Sequence, residues 1–238
     1  MNGFINLSRE KSKKLDSVVF KNSKNLHKDA LILAANHSYS TASSLLILSL
    51  EECIKAQYIL LYAEGIDVYK TQRANKIFTS HTERHDVAKS LEMVLGIFEI
   101  IDKLFSPVEK FNNSSSTGLL NIARFINSFV VILQTRDRIR SIGNFNKMKN
   151  NGFYVDYLEK VMIPDEIVRK EEFAVIQDIY VRVSKNYKLL KLFTNNHILE
   201  KYFKDDSVEL RRKIISIVNQ HVDSKIGLRP YKFHSNYR

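Results

Sequence analysis

Cysteine, proline and glycine are all scarce in this chain of 238 residues, which has one, three and seven of them. A single cysteine, Cys53, excludes an intramolecular disulfide and any cysteine cluster for metal. In an apolar stretch it reads as a small core residue rather than a nucleophile. The few glycines and prolines leave little turn punctuation for a sheet, and no stretch of period-two alternation stands in for it. They also leave no glycine-rich loop to cradle phosphate and no serine nucleophile elbow. Negative charge is in deficit as well. The 37 lysines and arginines outnumber 26 acidic residues, a net charge of +11. Such an excess points to an anionic partner, though not to its identity. The opening residues are polar and basic through Lys11, Lys13 and Lys14, so no secretory signal is expected. The hydrophobic fraction of 44% and charged fraction of 26% are those of a globular chain, and the cytoplasm is the expected compartment.

Against this background one stretch stands out. From Leu45 to Ala63 the chain is apolar on almost every side of a helix yet carries Glu51, Glu52 and Lys55 at its centre. Glu51 and Lys55 lie about 40° apart on a helical wheel, with Ser44, Tyr58 and Tyr62 continuing the line. A helix apolar on its other sides is buried, and buried charges are costly unless paired. The three should therefore meet each other, a neighbouring helix or a second subunit. A structural ion pair that fixes register and a functional cluster both fit. The run is long enough to span a membrane, but three central charges make that expensive, and no membrane role is expected.

The segment Ala42-Ser43-Ser44-Leu45-Leu46-Ile47-Leu48-Ser49-Leu50-Glu51-Glu52-Cys53-Ile54-Lys55-Ala56 resembles the small-and-apolar helix ending in Glu-Glu-x-x-Lys of the AbiV-type abortive infection proteins, members of the HEPN-like superfamily. Two later segments resemble the same family. In Phe78-Thr79-Ser80-His81-Thr82-Glu83-Arg84-His85 a histidine opens the next helix, and Lys149-Asn150-Asn151-Gly152-Phe153-Tyr154-Val155-Asp156-Tyr157 is followed by Pro164. Together they span roughly residues 25 to 170. The resemblance implies an all-α, HEPN-like antiparallel helical bundle with an additional C-terminal helical segment. It also implies a phage-defence protein that arrests growth of infected cells, a homodimer, and a phage-encoded protein as trigger. The family pairs a His-bearing helix with the Glu-Glu-x-x-Lys helix, which implies that His81 approaches Glu51 or Glu52.

Many HEPN-like domains are ribonucleases marked by an Arg followed, after four to six residues, by a His. Here Arg73 to His81 is too long, and no His lies between His85 and His197. The one match, Arg229 to His234, contains Pro230, which argues against a helix, and it reads as chance. A non-standard, metal-independent site built from Glu51, Glu52, Lys55 and His81 is the alternative, since a His and a Glu could exchange a proton with a ribose hydroxyl or a water. His81 and His85 stand at i, i+4, a spacing that can hold a metal, but Glu83 is misplaced for His-Glu-x-x-His and no third ligand is fixed; neither a metal nor another cofactor is expected.

The basic residues gather in two rows. Arg136, Arg138 and Arg140, continued by Lys147 and Lys149, are candidates for binding a partner or nucleic acid, together with Tyr154 and Asp156 nearby. Arg182, Lys185, Lys188 and Lys191 form the other row. Such rows bind phosphates, but they are equally the solvated faces of a lysine-rich protein. RNA or the translation machinery is the partner class they suggest.

Helical periodicity runs through the chain. Helices are expected over about Ser12 to Asn36 and from the break at His37-Ser38-Tyr39-Ser40 to near Gly65, these two forming an antiparallel hairpin. Others are expected over Tyr69 to Ile77, Thr82 to Leu104 with an inward stripe of Leu91, Val94, Leu95, Phe98 and Ile101, and Leu119 to Asn146. The last would bury Ile122, Phe125, Ile126, Phe129, Val130 and Leu133. Residues 112 to 118 read as a flexible loop and Gly152 to Asp156 as a short extended element or turn. A helix from Asp165 to Phe193 and a final one from Ser207, packed on it, complete the layout. Taken with the family resemblance, this layout implies a HEPN-like domain over 1–160, a helical extension packed on it over 161–226 and an irregular tail over 227–238. In function the chain reads as an interaction protein that blocks translation or RNA metabolism, with the ribonuclease and a non-toxic helical scaffold as alternatives.

Overall fold

The computed structural model describes residues 3–71, 74–105, 117–157, 161–194, 201 and 206–223. The protein is all-α. The helices are α1 (Arg9–Ser12), α2 (Leu15–Ala35), α3 (Tyr39–Ala63), α4 (Ala74–Thr79), α5 (His81–Phe105), α6 (Thr117–Gly143), α7 (Phe145–Asn151), α8 (Pro164–Ile167), α9 (Lys170–Phe193) and α10 (Asp206–Asp223), with a 3-10 turn at Val68–Lys70. Two two-residue strands, β1 (Asp156–Tyr157) and β2 (Val161–Met162), pair antiparallel after α7.

The hairpin of α2 and α3 is fixed by its ends. His37 takes a φ of 63°, Ser38 N–H donates to Leu33 O at 2.9 Å and His37 N–H to Ala34 O at 3.0 Å. This left-handed cap satisfies the last carbonyls of α2. The same motif closes α3, where Gly65 has a φ of 100°, Ile66 N–H reaches Leu61 O at 3.0 Å and Gly65 N–H reaches Tyr62 O at 3.1 Å. Between these ends Ser23 and Ser49 exchange hydrogen bonds, each hydroxyl donating to the other's carbonyl at 2.7 Å. Small side chains there let the helices approach closely. As its composition requires, α3 is buried on nearly every side, with Leu46, Leu50, Cys53, Ala56 and Ile59 inaccessible to solvent.

Packing divides the chain into two compact units, one of Met1–His27, Leu48–Asp86 and Ser184–Arg238, the other of Lys28–Ile47 and Val87–Val183. In the first, Asp16 is buried and accepts hydrogen bonds from the Tyr187 hydroxyl at 2.7 Å and Lys191 Nζ at 2.6 Å. In the same unit α10 docks on the end of α3: Arg211 donates to Glu64 at 2.6 Å, and Asn219 caps the turn by donating to Gly65 O at 2.9 Å and accepting from Asp67 N–H at 2.8 Å. These partners come from α3 and its turn.

Several boundaries differ from the periodicity. A break at Lys14, with φ of 70°, separates α1 from α2. Thr71 takes Val68 O at 2.8 Å, a side-chain bond that competes with helix and leaves the 3-10 turn separate from α4. Val168 adopts an extended conformation and buries its side chain, dividing α8 from α9.

The larger correction concerns α5 and α6 in the second unit. Val94, Phe98 and Ile101 are 46 to 63% exposed, and the buried positions of α5 are Arg84, His85, Ala88, Glu92 and Gly96. On α6, Phe125, Ile126, Phe129, Val130 and Leu133 are exposed, and Ser128, Val131, Arg138 and Ile142 are buried. A polar cluster occupies the inner side, so the apolar stripes face out. The side chain of Ile122, residues 112–116 of the expected loop, the tail 227–238 and Arg229 to His234 all lie outside the described residues, and Thr117 and Gly118 open α6. Among the described residues no helix is long and apolar enough to cross a membrane.

Candidate functional site

The charges of α3 separate into two sets. Glu51 is buried, with 2% of its side chain exposed, and turns to the first turn of α5. Three α5 residues meet its carboxylate. Arg84 donates from Nε and Nη2 to Oε2 at 3.2 and 3.0 Å, His85 Nε2 lies 3.0 Å from Oε1, and His81 Nδ1 contacts Oε2. Arg84 also donates from Nη1 to Ile77 O at 2.9 Å. Its guanidinium is thereby committed to the interior, balancing a carboxylate that would be prohibitively costly alone.

Glu52 and Lys55 do not join this set. They pair with each other at i, i+3, both partly exposed. Where the helical wheel suggests Glu51 with Lys55, the guanidinium from α5 takes Glu51 and leaves Lys55 to Glu52. Further along α3, Tyr58 and Thr71 place their hydroxyls 3.1 Å apart, and Tyr62 stacks on Tyr69 with ring centroids 3.8 Å apart.

His81 differs from the rest of the cluster in being accessible, with 48% of its side chain exposed. Its Nδ1 lies between Glu51 and Nη2 of Arg84, the latter at 2.8 Å. One nitrogen cannot donate to the carboxylate and accept from the guanidinium at once. With the proton on Nδ1 the ring donates to Glu51 and Nε2 is a base, which becomes an acid once it has taken up a proton; with Arg84 donating to Nδ1, Nε2 carries the proton of the neutral ring and is a hydrogen-bond donor. Both tautomers have a partner waiting. The arrangement can therefore move a proton at Nε2 without a change of side-chain position.

His81 thus meets Glu51, whereas Glu52 and Lys55 stand apart. Arg84 and His85 are the members that the sequence did not assign to this cluster. The signal was present: 81, 84 and 85 follow i, i+3, i+4 and so share one helix face. Among the described residues no group of three or more His, Cys, Asp or Glu side chains is placed to hold a metal ion.

The basic row of α6 also divides. Arg136 and Arg140 are exposed and Lys147 on α7 is exposed, but Arg138 is buried and belongs to the interior. Its Nε donates to Glu92 at 3.0 Å and its Nη1 to Asp178 at 3.3 Å. Arg182 completes the cluster, donating from Nε to Glu92 at 3.0 Å and from Nη1 to Glu99 at 3.0 Å. Burial pushes the Glu92 carboxyl above its usual range, and the two guanidiniums pull it back only in part. Arg182 is likewise no free phosphate ligand.

At the end of α7, Gly152 fits where no side chain could. A Cβ there would collide with Ser44 Oγ and come within 2.5 Å of Ser40 O, while Ser44 donates to Lys149 O at 2.9 Å. Beyond this anchored point Phe153, Tyr154 and Val155 are 40, 67 and 65% exposed. Asp156 lies in β1, opposite Met162.

Residues 11–183, more than half of the chain, match the family model described as AbiV. The chain has no match among curated proteins or among solved structures.

Proposed function

Because the chain belongs to the AbiV family of HEPN-like abortive infection proteins, we propose that it defends its host by arresting growth of the phage-infected cell. In this reading a phage-encoded protein is the trigger, and the engaged protein blocks translation or RNA metabolism. The observation that carries it is the display of Phe153, Tyr154 and Val155 beyond a glycine locked against α3. Three consecutive large side chains held in solvent by a rigid support contribute little to a core, and an exposed aromatic on a fixed backbone is the kind of anchor that protein partners use. Exposed Arg136, Arg140 and Lys147 supply positive charge for RNA or the translation machinery.

A second reading rests on His81. An accessible imidazole backed by a buried carboxylate and a guanidinium has what metal-independent RNA cleavage asks of a proton-transfer group. Purified protein incubated with total RNA separates the two, alongside phage challenge of cells carrying variants. The interaction reading expects intact RNA, and loss of protection in a folded Tyr154→Ala variant. Cleavage of RNA by the wild type that disappears in His81→Ala would overturn it in favour of the ribonuclease.

A further inference from the structure

Two segments far apart in the sequence, Phe20-Lys21-Asn22-Ser23-Lys24 of α2 and Tyr187-Lys188-Leu189-Leu190-Lys191 of α9, share the pattern aromatic-Lys-x-x-Lys and meet within the first unit. The two rings stack with centroids 3.9 Å apart, and Asp16, one turn before Phe20, bonds Lys191, one turn after Tyr187, so the helices run antiparallel. Counting from each ring at about 100° per residue, Lys24 and Lys191 lie about 40° round their helices and Lys21 and Lys188 about 100°. In antiparallel helices equal rotations from the contact line point to the same side. The four lysines therefore share one face. The opposite side is closed by α3. Ser23, about 60° the other way, bonds Ser49, and Asn186, about 100° the other way, donates to Gln57 at 2.9 Å.

We propose that this α2–α9 face binds the phosphodiester backbone of a nucleic acid. Its charge is of one sign. Lys21, Lys24 and Lys188 are exposed, and among the described residues none of them forms an ion pair. Elsewhere a lysine pairs with an acid three or four positions away, as Lys13 does with Glu10, Lys55 with Glu52, Lys70 with Asp67 and Lys213 with Glu209. No such acid is within reach here, because residues 17–28 and 184–193 contain neither Asp nor Glu. The carboxylate beside the face, Asp16, is buried and already held by Tyr187 and Lys191. Unpaired cations gathered on one face are what a polyanion neutralises, with release of its counterions. The length suits a strand as well. The lysines reach one turn to either side of the ring stack, about 12 Å along the pair, or three to four phosphates at about 3.4 Å each. Phe20 and Tyr187 are themselves buried, so they offer bases nothing to stack on, and binding through backbone contacts alone carries no sequence preference. A lipid surface fits less well. Within residues 15–27 and 184–193, the other positions out to about 100° on this side are Ser17 and Ser184, which gives acyl chains no apolar side chain to receive. The α9 half of the face lies past residue 183, beyond the part of the chain that marks the family. The inference goes beyond the reading above, which draws on Arg136, Arg140 and Lys147, and stands without it.

Fluorescence anisotropy of the full chain with oligouridylate and oligothymidylate of about 20 nucleotides, at several salt concentrations, tests it. The wild type is expected to bind both. Lys21→Gln, Lys24→Gln and Lys188→Gln together should weaken binding at least about 10-fold and flatten the slope of log K against log salt by about 2. Lys76→Gln, Lys103→Gln and Lys213→Gln together remove the same charge from exposed positions on α4, α5 and α10, and should weaken binding less than about 3-fold. On the unmodified protein, bound oligouridylate should slow acetylation of Lys21, Lys24 and Lys188 more than that of the three control lysines. A wild type that binds neither oligonucleotide, or that binds only vesicles of phosphatidylglycerol, overturns the proposal, as does a lysine variant no weaker than its control. Binding lost in Arg136→Gln with Arg140→Gln but kept in the Lys21, Lys24 and Lys188 variant overturns it too, and leaves the reading above standing.

Discussion

Arg84 holds Glu51 through two nitrogens, with Nε at 3.2 Å and Nη2 at 3.0 Å from the same carboxylate oxygen. Both side chains are almost wholly buried, so each is the main compensation for the other's charge. Arg84→Ala should therefore cost about 3–5 kcal/mol, because it leaves the carboxylate buried with two histidines. Lys55→Ala breaks only the partly exposed pair with Glu52 and should cost roughly 0–1 kcal/mol. Urea unfolding of the two variants checks the contrast, and equal losses would contradict the division of charges described here.

The basic row of α6 should divide in the same way. Arg138→Gln leaves Glu92 with one guanidinium and is expected to destabilise the fold by about 2–4 kcal/mol. Changing the exposed Arg136 and Arg140 together to Gln should move the melting free energy by no more than about 0.5 kcal/mol. If these two contact RNA, the same double variant should weaken binding and flatten its salt dependence by about two phosphate contacts. Thermal melts and binding titrations at several salt concentrations read both effects.

Two glycines should respond oppositely to alanine. Gly152→Ala drives a methyl group into Ser44 and the Ser40 carbonyl, and an overpacked contact of this kind costs about 1–3 kcal/mol. At Gly143, the last residue of α6, the nearest neighbour of a new Cβ is the Lys89 side chain at 3.9 Å. There the change should be neutral or stabilising by up to about 1 kcal/mol, through the better helix propensity of alanine. Chemical denaturation of both variants tests the pair.

Cys53 should be inert while the protein is folded. Burial pushes its thiol up to about 12. A group raised that far stays protonated at pH 8, with a thiolate fraction of roughly one in ten thousand. Labelling with a thiol reagent at pH 8 should be about 1,000-fold slower for the native protein than for the chain in denaturant. Fast labelling of native protein would show that the interior of α3 is open to solvent.

Some of this architecture was written plainly in the sequence and some was hidden by distance. The burial of α3 was legible because no face of Leu45 to Ala63 is polar enough for water except one narrow line. Its end was legible in Gly65, the residue that a left-handed cap favours. Charge pairing was not. Glu51 had Lys55 within reach on its own helix, and nothing local reveals that Arg84, 33 positions away, would displace it. The orientation of α5 failed for a related reason. The stripe of Val94, Phe98 and Ile101 is real, but a stripe says that a helix has an apolar side, not that the side faces its own core. The residues that turned the other way, Glu92 and Arg138, stand 46 positions apart and carry no pairwise signal in one sequence.

The bonds from Tyr187 and Lys191 to Asp16 span 171 and 175 positions of the chain, and this sets a timetable as well as a contact. A growing polypeptide presents Asp16 171 residues before the hydroxyl and 175 residues before the ammonium that hold it. Until then the carboxylate is better hydrated than packed, and α2 has no reason to settle in its final place. The unit containing Asp16 must therefore wait for residues 187 and 191 rather than complete itself segment by segment. A product cut short before Tyr187 would lack both groups that hold Asp16 at the start of α2.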